Sequence, residues 1–160
     1  MMLNNIKGMF QRQNLTQKDI KILFKLHPNK NNKDFLNTLN QFPKNFWEVR
    51  KEPLHYLIKK CDILISMPKS SAYIDGIYGN KPSLLYFDEY FENLRKTGPT
   101  AHEKMGIDIK LNKTNLTEMI KEALYNKKSN IWKKQKKIFK KYFLNYDDSS
   151  KNVYQFIKNL

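Results

Sequence analysis

The chain has 160 residues, enough for one domain with a substantial core and short for a two-domain enzyme. An apolar fraction of 40% with 13% aromatics excludes a disordered chain, and the longest apolar stretches, such as 61–67, are too short to span a bilayer. The net charge of +15 favours polyanionic partners, whether nucleic acid, an acidic membrane surface or a phosphorylated substrate; Asn and Lys are also enriched together by AT-rich coding, so charge alone selects no function.

The first residues, Met1 to Lys7, lack the apolar run and small-residue cleavage site of a secretory signal, which sets the expectation of a cytoplasmic protein. A short helix is predicted from Met2 to about Gln13. Ile20 to Leu26 is rich in strand formers and stops at His27-Pro28, giving the first strand. After a polar loop, Phe35, Leu36, Leu39 and Phe42 recur at helical spacing before Pro43 ends the segment. Phe46 to Val49 reads as a short second strand. Pro53 fits the first position of a helix carrying Leu54, Leu57 and Ile58. That helix feeds into Asp62 to Ser66, the most apolar strand candidate, with Cys61 expected as a buried strand residue. As the single cysteine, Cys61 has no internal disulfide partner, in keeping with a reducing compartment.

A helix is predicted from near Ser70 to the stop at Gly79-Asn80, and Pro82 to Phe87 follows as a fourth strand. From Asp88 to Gly106 the chain reads as a long polar loop, and Ile107 to Leu111 as a last short strand. Asn115 and Glu118 form a capping pair in sequence for a helix bearing Leu116, Met119, Ile120 and Leu124, and two more helices close the chain. Strands alternating with helices imply right-handed βαβ units and one mostly parallel sheet. No internal repeat or linker is visible.

In open parallel sheets ligands bind outside the carboxyl ends of the strands, the edge to which His27 and the Ser66 to Ser71 turn both belong. Ser70 and Ser71 open a helix, so their hydroxyls and the free backbone N–H groups of the first turn can face an anion. His27 would add a ring donor, Pro28 would fix the backbone after the strand, and Lys69 would add positive charge. On residue types alone, an ordinary serine cap and a solvated histidine explain the same pattern.

The segment Cys61-Asp-Ile-Leu-Ile-Ser-Met-Pro-Lys-Ser-Ser-Ala-Tyr-Ile-Asp75, with Gly79-Asn-Lys-Pro82 and Leu84-Leu-Tyr-Phe-Asp88, resembles the donor-binding domain of GT-B-fold transferases. Surface and capsular polysaccharide glycosyltransferases and the CDP-glycerol glycerophosphotransferases of wall polymer synthesis are the nearest types. Phe24-Lys-Leu-His-Pro28 resembles the His-Pro motif of that group and of bacterial sialyltransferases, and Ser70-Ser71 its serine motif. Asp147-Asp148 with Val153 to Ile157 is similar to the acidic turn and final helix that close such domains. The resemblance covers roughly Lys18 to the C-terminus.

It implies a Rossmann-like, mostly parallel sheet flanked by helices, with C-terminal helices. It further implies His27, Ser70 and Ser71 as donor phosphate ligands, Asp75 as a ribose contact where many relatives have Glu, and Pro28 and Lys69 as support. The donor would be a nucleotide-activated sugar or CDP-glycerol, serving as substrate, with no further cofactor. Pro68-Lys69 stands where glycerophosphotransferases tend to have Asp-Tyr, which tilts the expectation towards a sugar. Such domains open with a strand before the first helix and are joined to an N-terminal acceptor domain carrying the catalytic base. Neither is found in residues 1–160, so an N-terminal transferase domain or partner chain is expected to complete the enzyme, and no catalytic residue is assigned.

Residues 127–143 place Trp132, Phe139 and Phe143 on one helical stripe among lysines, which suits peripheral contact with an acidic membrane at the inner face or, equally, a packed helix with a solvated lysine face. His102 falls in the long loop and reads as a surface histidine. Asp88 and Glu89 point to opposite sides after a strand, so no metal is expected. A basic nucleic-acid-binding module or a non-catalytic interaction module is the alternative from another class. The chain shows no zinc pattern, RNP-like aromatic strand or helix-turn-helix glycine, so no nucleic acid partner is expected.

Overall fold

The structure, a computed structural model, describes residues 21–26, 33–44, 47–68, 70–87, 89–94, 98–99, 101–112, 114–126, 128–143 and 157–158. The predicted N-terminal helix, His27, Pro28, Lys69, Asp88 and Asp147-Asp148 lie outside these residues. Along the chain run β1 (Ile22–Lys25), α1 (Lys33–Leu39), β2 (Trp47–Arg50), α2 (Leu54–Lys60), β3 (Leu64–Ser66), α3 (Ala72–Tyr78) and β4 (Ser83–Tyr86). They are followed by α4 (Glu89–Leu94), α5 (Ala101–Met105), β5 (Lys110–Leu111), α6 (Leu116–Tyr125) and α7 (Asn130–Tyr142).

Every strand pairing among the described residues is parallel, with Ile22 opposite Trp47, Leu64 opposite Ser83 and Leu85 opposite Lys110. Parallel neighbours need crossover connections, and helices supply them here. This is a Rossmann-like α/β arrangement of parallel strands flanked by helices. One expectation is corrected: the strands form two sheets, β1-β2 and β3-β4-β5, in place of one. The two share apolar packing, because Ile22 and Trp47 of the first sheet lie against the same buried cluster as Ile63 and Ile65.

The centre of the fold is β4, whose four residues are all buried. Successive side chains alternate between faces, so a strand covered on both sides must be apolar throughout. Leu84 and Tyr86 pack with Leu116, Ile120, Ala123 and Trp132. Leu85 and Phe87 pack with Tyr73, Ile77, Ile107 and Phe139 on the other face. On the first sheet, Leu39 and Phe42 are buried against Phe24, Trp47 and Val49, and the Phe24 and Phe35 rings meet edge to face at 5.3 Å.

Two close approaches seat the helices. A Cβ on Gly76 of α3 would lie 2.5 Å from Leu64 Cδ2 and closer still to Ser83 Oγ, so the missing side chain lets α3 sit directly on β3 and β4. Asn80, not Gly79, takes the left-handed position after α3, with φ 60°. Gly79 keeps φ −70°, which any residue adopts, and what it lacks is the side chain that would strike Ile58.

Local expectations are corrected in four places. Pro53 is extended (φ −55°, ψ 146°) and precedes α2 as its N-cap instead of opening it, because its preset φ suits either position. Cys61 closes α2 at its C-cap, half-buried, and is not a strand residue; burial pushes its thiol pKa up. The supposed loop 88–106 contains α4 and α5, since Phe91 and Met105 pack against the Tyr73 and Phe139 cluster. Asn115 does stand at the N-cap of α6 but makes no cap bond there. Its side chain is used in the β5–α6 turn, where Oδ1 accepts from Asn112 N at 2.8 Å and Nδ2 donates to Lys110 O at 3.0 Å. Asn112 Oδ1 in turn accepts from the backbone N–H of Thr114 and Asn115, an Asx turn that leaves no role for a box with Glu118.

Candidate functional site

β3 ends at Ser66, and Met67-Pro68 turns the chain towards Ser70, Ser71 and α3. The Ser70 N–H donates to Met67 O at 3.2 Å, which closes the turn and sets the two serines just past the carboxyl end of the strand. Ser71 occupies the N-cap position, yet with φ −65° and ψ −22° it is already helical and its hydroxyl makes no cap bond. A capping side chain needs extended backbone at its own residue to reach the N–H groups ahead of it. The conformation therefore removes the ordinary cap as the explanation of Ser71, which is exposed.

Beneath the turn, Ser66 Oγ is buried without a hydrogen-bond partner among the described residues. Three hydroxyl-bearing residues, Ser66, Ser70 and Ser71, thus belong to one strand end. Asp75 lies four residues beyond Ser71, one helical turn along the same face, and its backbone N–H points back to Ser71 O at 3.4 Å. Its side chain is half-buried. His27 and Pro28 follow β1 in sequence, but β1 and β3 belong to separate sheets and are not hydrogen-bonded neighbours. Ser66, Ser70, Ser71 and Asp75 are brought together, and His27, Pro28 and Lys69 fall outside the described residues.

α3, which the serines open, is tied to the amino ends of β4 and β5 by a buried polar hub that residue patterns did not reveal. Tyr73, two residues past Ser71, is fully buried and donates its phenol proton to Ile107 O at 2.6 Å. It accepts from Ile109 N at 3.1 Å and from Gln135 Nε2 at 2.6 Å. Gln135 of α7, only 4% exposed, also donates to Ser83 O at 2.9 Å, and its Oε1 accepts from Ser83 N at 3.4 Å. Burial is the main reason the Tyr73 phenol pKa lies far above its ordinary range, so it remains a neutral donor. α3, β4, α7 and the 107–109 segment are tied together through two side chains. In the sequence Gln135 is flanked by lysines, and its one signal is that it falls three residues after Trp132 and four before Phe139, on their face of the helix.

The aromatic stripe of α7 faces the same way. Trp132 and Phe139 are 8% and 6% exposed and Phe143 stacks on Phe139 at 4.8 Å, so these rings pack in the core. α7 is thus a packed helix with an outward lysine face. No helix among the described residues is long and apolar enough to cross a membrane. No cluster of metal-ligating side chains occurs among the described residues.

At the opposite, amino edge of the same sheet is a cleft of about 330 Å³ bounded by Asp62, Lys81, Trp132, Lys133 and Lys136.

Parallel strands crossed over by helices, with hydroxyl-bearing residues at a strand's carboxyl end, define a Rossmann-like α/β domain. Residues 8–159 match the family model of CDP-glycerol:poly(glycerophosphate) glycerophosphotransferase. The chain belongs to this transferase family. No curated protein and no solved structure gives a significant match.

Proposed function

We propose that the chain is the donor-binding domain of a transferase and holds the phosphates of a CDP-glycerol-type donor at the Ser70-Ser71 turn. His27, with Pro28 fixing the backbone behind it, approaches from the end of β1, Lys69 adds charge, and Asp75 meets the ribose. The carrying observation is the uncommitted serine pair. Ser71 stands where a cap would stand and caps nothing, beside the buried and unpartnered Ser66 hydroxyl. Hydroxyls and main-chain N–H groups at a strand's carboxyl end are donors suited to phosphate oxygens. The family match supports glycerol phosphate as the group carried by the nucleotide. A nucleotide-sugar donor of surface or capsular polysaccharide synthesis is the second reading, favoured by Pro68-Lys69 in place of Asp-Tyr before the serines.

The domain is incomplete as an enzyme in this reading, equivalent to the C-terminal half of a GT-B transferase. Proton abstraction from the acceptor hydroxyl then falls to an N-terminal domain or partner chain, at the inner membrane face where lipid-linked acceptors are met.

The test is a titration with CDP-glycerol, CDP, CMP and UDP, followed by backbone amide shifts. Shifts at Ser66, Ser70, Ser71 and His27 that are larger for CDP-glycerol than for UDP are expected. Silence at all four with millimolar ligand sinks the donor reading.

A further inference from the structure

The amino-edge cleft lies on the wrong side of the sheet to be part of the donor site. Asp62 precedes β3 and Lys81 and Pro82 precede β4, whereas Ser70 and Ser71 follow β3. At about 3.3 Å per residue, the four residues of β4 alone separate the two edges by roughly 13 Å. The cleft continues onto the outer face of α7, which carries six lysines (133, 134, 136, 137, 140 and 141) and no acidic residue. All six are exposed. None forms an ion pair among the described residues; Lys136 donates to Asn80 Oδ1 at 2.6 Å and Lys141 lies over the Tyr142 ring.

A lysine face produced by coding bias alone would carry acids at the chain's average frequency and would have no reason to be concave. Here Lys81, from the loop before β4, joins Lys133 and Lys136 around one hollow. The floor of the hollow includes Trp132, whose indole N–H is buried and unpartnered among the described residues although the residue is only 8% exposed. Beyond the hollow each turn of α7, about 5.4 Å, adds about two cations. A track of cations running out of a cleft fits a linear chain with regularly spaced single charges. A bilayer is too flat to enter the hollow, and the aromatic rings that would insert into one are already buried in the core.

We propose that the cleft at Lys81, Lys133 and Lys136, extended by the α7 lysine face, binds a phosphodiester polymer of the poly(glycerophosphate) type. It tethers the growing product at the edge of the sheet remote from the donor. This rests on the transferase reading, in which such a polymer is what the reaction lengthens. A polymer held at a distance from the reacting end keeps its terminus at high local concentration for the next addition.

The experiment uses the full chain, labelled for amide and indole shifts, with four probes: a synthetic glycerol phosphate oligomer, CDP-glycerol, vesicles of phosphatidylglycerol, and single-stranded DNA of matched charge. The oligomer is expected to shift Lys81, Lys133, Lys136 and the Trp132 indole while leaving Ser70 and Ser71 unmoved, with affinity falling steeply as salt rises. The double variant Lys133→Gln, Lys136→Gln should weaken the oligomer about tenfold at low salt and flatten that dependence, with CDP-glycerol binding unchanged. Oligomer shifts that persist without any CDP-glycerol binding would support the tether and sink the donor reading alone. The tether is overturned if the oligomer moves nothing in the cleft, if the double variant binds it equally well, if DNA of matched charge binds as tightly, or if only vesicles bind.

Discussion

Gln135 Nε2 stands 2.6 Å from the phenol oxygen of Tyr73, joining two helices that are 62 residues apart in sequence. The bond lies in a buried setting where every group must find a partner, and each partner is a main-chain group of β4 or of the 107–109 segment. Replacing Gln135 by Leu keeps the volume but leaves Ser83 O and Ser83 N without their side-chain partner. Each buried group so orphaned costs about 1–3 kcal/mol. The Gln135→Leu chain should unfold in urea with about 3 kcal/mol less stability, against a change within about 0.5 kcal/mol for the exposed Lys137→Gln. Equal stability of the two variants would mean the hub is not a unit.

Gly76 is the point at which α3 touches the sheet. In an exposed helix Gly→Ala is stabilising by about 1 kcal/mol. Here the added methyl would fall 2.5 Å from Leu64 Cδ2, nearer still to Ser83 Oγ, and 3.2 Å from Leu64 Cβ, which strand pairing holds in place. Overpacking of this kind costs about 1–3 kcal/mol, so Gly76→Ala is expected to lower the melting temperature despite its better helix propensity. A higher melting temperature would show that α3 can lift off the sheet freely.

The strands were legible because β-branched and aromatic runs bounded by Pro, Asn and Gly leave few other readings; β3 and β4 fall inside the predicted segments. The serine pair was legible for the same local reason, since a turn after a strand is visible in residue order. Sheet connectivity was not, because whether β1 lies beside β3 depends on contacts between distant segments that no local pattern encodes. The helices inside 88–106 were hidden by polar residues on their outer faces, with Phe91 and Met105 too sparse to show a period. Gln135 was hidden by its lysine neighbours, and Asn115 looked like a capping residue because its alternative partner, Asn112, comes from the turn before it.

β2 carries a charge-linked device with a defined pH response. Glu48 accepts from Lys21 Nζ at 2.8 Å and from Arg50 Nη1 at 2.7 Å. The hydrogen bond from Lys21 is the largest cause holding its carboxyl below the ordinary value of 4.5; desolvation opposes it, and the Arg50 charge adds a smaller lowering effect. Glu52 is also lowered, first by its own backbone N–H. A carboxylate whose folded pKa is depressed binds fewer protons than the unfolded chain. Its contribution to stability is complete above 4.5 and is lost as pH falls below that value through the folded pKa. The Glu48→Gln chain should therefore lose less stability than the wild type between pH 5 and acid unfolding, while Glu52 preserves some slope. Parallel curves of melting temperature against pH for the two proteins would contradict this. Both pairs are exposed to salt, so the difference should shrink at high ionic strength.

Ser71→Ala separates a ligand from a cap. If Ser71 were a conventional N-cap, removing its hydroxyl would cost about 1 kcal/mol of stability and leave ligand binding alone. The hydroxyl makes no cap bond and the backbone is already helical, so the alanine chain should unfold within about 0.5 kcal/mol of the wild type. A hydrogen bond to a charged phosphate oxygen is worth about 1–3 kcal/mol, so CDP-glycerol affinity should fall by roughly five- to 150-fold. His27→Ala is expected to weaken the donor by a similar amount if both residues reach the same phosphates. Measuring unfolding and donor titration on the same preparations reads the two effects independently. Lost stability with unchanged affinity would return Ser71 to an ordinary structural role. Unchanged stability with lost affinity is the outcome required of a phosphate ligand at the end of β3.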